Sequence, residues 1–141
     1  MATFTATAAQ ANAIPAYQVG GLVARNVVYS LSLIGASLSA AGDVIQMVKI
    51  PAHAIVQDVR VGINGHTGVA TVNVGLGSDI SLYGASVVLS GSTVAVNIMP
   101  VRALGYSLSA EDTIDIQCAA VSAVSAVGAL FLSVTYTNQD A

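Results

Sequence analysis

From Arg25 onward, apolar residues return at every second position in short runs, and each run is cut off by Gly, Pro or Asn. That period constrains the fold more than anything else in the chain. Successive side chains on a strand point to opposite faces, so a period of two builds a sheet with one buried face, whereas a helix needs apolar residues every three or four positions. Val27, Tyr29, Leu31 and Leu33 alternate with Val28, Ser30, Ser32 and Ile34. Val44–Ile50 alternates up to Pro51, and Val59, Val61 and Ile63 share one face opposite Asp58, Arg60 and Gly62. Asn64-Gly65 is the strongest tight-turn signal and predicts a hairpin, because both residues tolerate positive φ. Its return strand would carry Ala70, Val72, Val74 and Leu76 inward. One or two short strands are expected in Ile80–Leu89, then one around Val94–Ile98, ended by Pro100. Ile114, Ile116 and Cys118 alternate in the next run, and Leu130, Leu132, Val134 and Tyr136 in the last. Between them Ala120–Gly128 repeats every three residues and reads as a loop.

These runs predict an all-β fold: a jelly-roll-like β-sandwich of about eight antiparallel strands. An immunoglobulin-like sandwich draws on similar material. Residues 1–22 keep no period, are rich in Ala, Thr and Gln, and read as an extended N-terminal arm that could reach about 75 Å. The sandwich domain is expected over 23–141. At 141 residues a single core is large enough to fold without disulfides or metal. The lone Cys118 excludes an intrachain disulfide and is expected to face inward.

Composition then bears on function. Charged residues are 8% of the chain, against about 25% in an ordinary soluble domain. The net charge is −3, and the four basic residues, Arg25, Lys49, Arg60 and Arg102, are scattered. A nucleic-acid partner is therefore not expected, since its footprint is a basic patch or stripe. Mean hydropathy is +0.76, and Met1–Ala24, Ile80–Val101 and Ile116–Gln139 lack any Asp, Glu, Lys or Arg. A membrane span is still not expected, because Ser, Gly, Asn and Pro interrupt the last two windows. Few charges leave a lone monomer little to keep it soluble. A surface that meets other protein explains the deficit better.

No chemistry-bearing constellation emerges. His53 follows Pro51 and His66 lies in a glycine-rich turn; both read as loop residues, and no G-x-S-x-G elbow accompanies them. One Cys and two separated His give no zinc spacing. Gly75-Leu76-Gly77-Ser78-Asp79 resembles part of a calcium-binding repeat but occurs once, and reads as a turn. Glu111, Asp112 and Asp115 form the sole carboxylate cluster, yet on a strand Asp112 and Asp115 point to opposite faces. No catalytic, cofactor-binding or metal-ligating residue is expected. Glycan binding is the main competing reading; its aromatic platform would have to come from tyrosines, with Tyr17, Tyr83 and Tyr106 in or near loops.

Three segments carry a family resemblance: Val48-Lys49-Ile50-Pro51-Ala52-His53-Ala54-Ile55-Val56; Val72-Asn73-Val74-Gly75-Leu76-Gly77-Ser78-Asp79; and the run from Gly105-Tyr106 through Asp112-Thr113-Ile114-Asp115-Ile116. Together they make roughly Val44–Tyr136 similar to the jelly-roll capsid cement, or decoration, proteins of tailed phages. The resemblance implies a virion structural protein on the outer capsid surface. It would touch several subunits of the major capsid protein and form a homo-oligomer, a dimer by preference, with no enzymatic activity and no cofactor. A glycan-binding head fibre or tail-associated module is the alternative it leaves.

Overall fold

The computed structural model describes residues 3–5, 22–30, 41–64, 69–90, 96–97, 100–122 and 129–138. Among them the chain forms nine strands and no α-helix: β1 (Thr3–Thr5), β2 (Leu22–Ser30), β3 (Val44–Ile50), β4 (Ala54–Asn64), β5 (Val69–Gly75), β6 (Gly84–Ser90), β7 (Val96–Asn97), β8 (Asp112–Ser122) and β9 (Ala129–Asn138). A 3-10 turn, Val101–Ala103, lies before β8.

Two sheets result, ordered β1-β3-β8-β5-β6 and β2-β9-β4-β7. The antiparallel pairs include β2 with β9, β3 with β8, β4 with β7 and β5 with β6. These pairs are nested, as if one long hairpin bent at the β5–β6 connection had been rolled into a sandwich. That is the jelly roll expected from the strand count. From β2 to β9 every connection except β5–β6 changes sheet. The ninth strand, β1, is an addition: it lies parallel to β3, with Thr3 opposite Val44 and Thr5 opposite Gln46. Thus three residues of the N-terminal segment sit on the edge of the first sheet; the remainder of that segment before β2 lies outside the described residues.

The hairpin expected at Asn64-Gly65 does not form. Asn64 ends β4 in one sheet and Val69 begins β5 in the other, so the strands it joins are not paired. β5 pairs instead with β6 and β8. The dipeptide signals a reversal of the chain, and the direction of that reversal is set by which faces must be buried. The loop expected from Ala120 also needs correction: β8 continues through Ser122, with Val69 opposite Ser122. Residues 123–128 lie outside the described residues.

The core sits between the sheets. Val59, Val61 and Ile63 of β4, Ala70, Val72 and Val74 of β5, Ile114, Ile116 and Cys118 of β8, and Leu130, Leu132, Val134 and Tyr136 of β9 are all buried, as their alternation predicts. Two bulges break the strict period. On β3 the register shifts between Gln46 and Val48, so that Met47 and Val48 are both buried while Val44 and Gln46 are not. On β4 a shift between Val56 and Asp58 moves the inward set from even to odd positions, giving Ala54 and Val56, then Val59, Val61 and Ile63. An extra residue on one strand leaves its neighbours unpaired and re-aims everything beyond it. A third shift on β5–β6 is accommodated at Ser86, where φ is 53° and Asn73 Oδ1 accepts the Ser86 backbone N–H at 3.0 Å.

A candidate interaction surface at one end of the sandwich

Because neighbouring strands run antiparallel, the β3–β4, β5–β6 and β7–β8 connections meet at one end of the roll. The β3–β4 turn is fixed from outside itself. His53 adopts φ 62°, a left-handed conformation that His tolerates better than most residues, and its backbone N–H donates to the Leu108 carbonyl at 2.7 Å. Leu108 N–H in turn donates to the Ala54 carbonyl at 3.0 Å, and Ile55 bridges Ser107. His53 is thus a turn residue that anchors the segment leading to β8. His66 lies outside the described residues.

The β5–β6 connection folds back on its own sheet. Leu76 and Asp79 exchange backbone hydrogen bonds at 3.0 and 3.1 Å, and Tyr83 N–H returns to the Val74 carbonyl at 2.9 Å. Asp79 Oδ1 accepts the Ser81 backbone N–H and hydroxyl, both at 3.1 Å, which closes an Asx turn. The Gly-x-Gly-x-Asp pattern therefore makes a tight return. Gly75 is required there: a Cβ at that position would collide with the Asp79 carbonyl oxygen. Among the described residues no group of three or more His, Cys, Asp and Glu is placed to hold a metal ion.

The carboxylates part as their positions on β8 predict. Asp112 lies opposite Ile50 and near Gly77, at the rim of the core side. Asp115 points to the outer face between Gln46 and Gly75, yet it is only 4% exposed. Its Oδ1 accepts the Thr113 hydroxyl at 2.7 Å. Burial raises its pKa to about 6, the Thr113 bond opposes that rise, and the Asp112 charge adds to it. Burial likewise pushes the Cys118 thiol up, with Asp43 contributing; the residue is an inward-facing one.

Tyr83 and Tyr106 lie in loops and Tyr136 on a strand, as their sequence positions indicate, but the two loop tyrosines differ in exposure. Tyr83 is fully buried, as is Tyr136, whereas Tyr106 is exposed. The Tyr83 hydroxyl has no hydrogen-bond partner among the described residues. Its pKa is raised well above the ordinary phenol range, first by burial and then by Tyr106 and Asp112. Sequence could not flag Tyr83, because Ile80-Ser81-Leu82-Tyr83 lacks a period that would assign faces. An aromatic platform for sugars is reduced by this burial to Tyr106, among the tyrosines whose side chains are described.

Apolar exposure is concentrated beside these loops. Val101 (84%), Leu104 (61%) and Tyr106 (40%) follow one another on the turn before β8, around Gly105, whose φ of 74° suits glycine. A smaller patch, Val88 and Val69, lies on β5–β6. β6 ends the first sheet among the described residues and belongs to a charge-free window; its Ala85, Ser86, Val88 and Ser90 are exposed. Nothing charged protects that edge in the way solitary proteins usually guard theirs. Among the described residues Lys49 pairs with Glu111 at 3.6 Å, and Arg60 with Asp58 at 2.9 Å. No helix among the described residues is long and apolar enough to cross a membrane.

No protein-family model matches the chain, and no curated protein sequence matches it. Solved structures do. Over 99% of its length the chain is similar to the whole (100%) of a chain in the capsid of Ralstonia phage GP4, at 15% identity and a TM-score of 0.81. Over 92% of its length it is similar to 95% of a chain in the capsid asymmetric unit of cyanophage Pam1, at 20% identity and a TM-score of 0.63. At these identities the likeness is one of fold.

Proposed function

We propose that this chain is a virion structural protein of a tailed phage that binds the outside of the assembled capsid and stabilises the major capsid protein lattice. The observation that carries the reading is the end-to-end match with a chain in a phage capsid, covering 99% of this chain and 100% of the other. The charge-poor surface, the unguarded β6 edge and the apolar turn before β8 support it, as does the style of the sequence, which is similar to the cement protein of a Bordetella podovirus. The protein performs no catalysis in this account. It acts by mass action, since whatever binds the assembled lattice and not its dissociated parts stabilises the lattice. A stable interface buries about 1,600 Å², and repetition over the shell multiplies modest contacts into resistance to internal pressure.

The N-terminal arm of residues 1–22 and the uncharged strand edges make the contacts, and a dimer is the favoured free state. Removing residues 1–18 takes away β1 and the arm while leaving the nested pairs of the jelly roll. The truncated protein is expected to keep its β-sheet circular dichroism and to lose occupancy on purified capsids. Full occupancy by the truncated protein would remove the arm from this account.

A further inference from the structure

Each sheet of the roll has two edges, and solitary proteins guard such edges with short strands or with charge. Among the described residues three of the four edges follow that rule. β1, beside β3, is three residues long and β7 is two, while β2 carries Arg25. The fourth edge, β6, runs for seven residues without a charged side chain. We infer that β6 is the site of self-association: it pairs antiparallel with β6 of a second copy across a two-fold axis at Val88, joining the two five-stranded sheets into one. This rests on the free dimer proposed above, for which it names the interface.

Two observations favour a second copy over a strand of another protein. The first is the order of residues along the edge: Ser86-Val87-Val88-Leu89-Ser90 is chemically almost the same in both directions. An isologous interface uses one patch twice, so that patch must complement itself. With the axis at Val88, Ser86 lies opposite Ser90 of the second copy, Val87 opposite Leu89, and Val88 opposite its own mate. Like charges directly opposite repel, whereas apolar and hydroxyl pairs attract; β6 holds none of the first kind. The second observation is how β6 presents its faces. Leu89 is buried and Val87 packs partly buried against the core, whereas Val88 is 59% exposed on the outer face. Pairing in this register sets Val87 beside Leu89 of the second copy and prolongs the core side of the sheet. The two Val88 side chains then meet on the outer face, flanked by Thr71, which lies opposite Val88 on β5. The left-handed residue Ser86 falls at the end of the pairing and interrupts none of its three central pairs. A strand pair of this length makes a small interface, so the dimer is expected to dissociate on dilution.

Sedimentation velocity over a range of concentrations compares wild type with Val88→Lys and Val101→Lys, and thermal melting confirms that each is folded. Both substitutions replace an exposed valine. Val88→Lys sets two like charges against each other and is expected to weaken dimerisation about tenfold or more. Val101→Lys adds the same charge away from β6 and should leave dimerisation unchanged. Oxidation tests the register. Val88→Cys, whose Cβ atoms would lie about 5 Å apart, should form a covalent dimer; Thr71→Cys, one strand farther from the axis in each copy, should not. Native Cys118 is buried and does not compete. The β6 interface would be overturned, and the free dimer left standing, by a Val88→Lys variant that dimerises like wild type, by equal weakening from both lysines, or by a dimer that Val88→Cys fails to cross-link. A wild type monomeric at every concentration would overturn both and leave the edge to a strand of another protein. None of these results depends on binding to capsids.

Discussion

The space between the two sheets and the loop end of the roll obey opposite rules. Between the sheets, side chains such as Val59, Ile116, Leu132 and Val134 are shut away from water and carry no polar atom. At the loop end a phenol and a carboxylate, Tyr83 and Asp115, are buried, while Val101 and Leu104 are left in solvent. Exposed apolar side chains are common on proteins; buried polar groups beside a contiguous exposed apolar turn are not, and they mark surfaces shaped for something besides folding. The core accounts for the fold, and the loop end for what the fold presents.

The same truncation made in both regions should expose that difference most strongly. Leu132→Ala is expected to cost about 2–5 kcal/mol, because it leaves a cavity between packed sheets, whereas Leu104→Ala should stay within about 0.5 kcal/mol. Denaturant unfolding of the two variants checks this, and equal losses would erase the distinction. Asp115 gives the next largest effect, and it depends on pH. Its folded pKa is raised to about 6, above the unfolded value near 3.9. The folded state is therefore relatively favoured while the carboxyl is protonated, and that advantage is lost as pH rises through about 6. Asp115→Asn should match wild type below pH 4 and exceed it by up to about 3 kcal/mol at pH 8, as followed by melting temperature across that range. Tyr83→Phe is the smallest change. Removing an unpaired hydroxyl while keeping the ring should raise stability of the free protein by about 1 kcal/mol. A clear loss instead would mean that the hydroxyl is satisfied within the chain.

How much of this was legible in the sequence follows the same division. On β5, on β8 as far as Cys118, and on β9, alternation assigned the inward faces correctly. It failed across the bulge of β3, where Val44 and Gln46 do not share the buried face of Val48 and Ile50. One inserted residue flips the side chains beyond it and leaves no local mark. The Asn64-Gly65 turn was readable as a turn but not as a crossing between sheets, since partner choice depends on strands distant in sequence. The strand formed by Thr3–Thr5 was invisible for a related reason: its place is set by the exposed edge of β3 rather than by any pattern of its own. The loop end was legible only as a polar turn near Glu111 and a glycine return near Asp79. Asp115 is buried between its partners Gln46 and Gly75 on neighbouring strands, and Tyr83 by a return that folds back onto β5; neither has a local pattern to mark it.

The central claim is that this jelly roll stabilises a shell by binding its assembled form. The most direct measurement adds the purified protein to phage shells lacking it and follows the temperature at which the shells disrupt. The account predicts a saturable rise in disruption temperature with bound protein, together with density for a jelly roll on the outer surface in reconstructions of the treated shells. Shells that disrupt at the same temperature with no protein bound would contradict it.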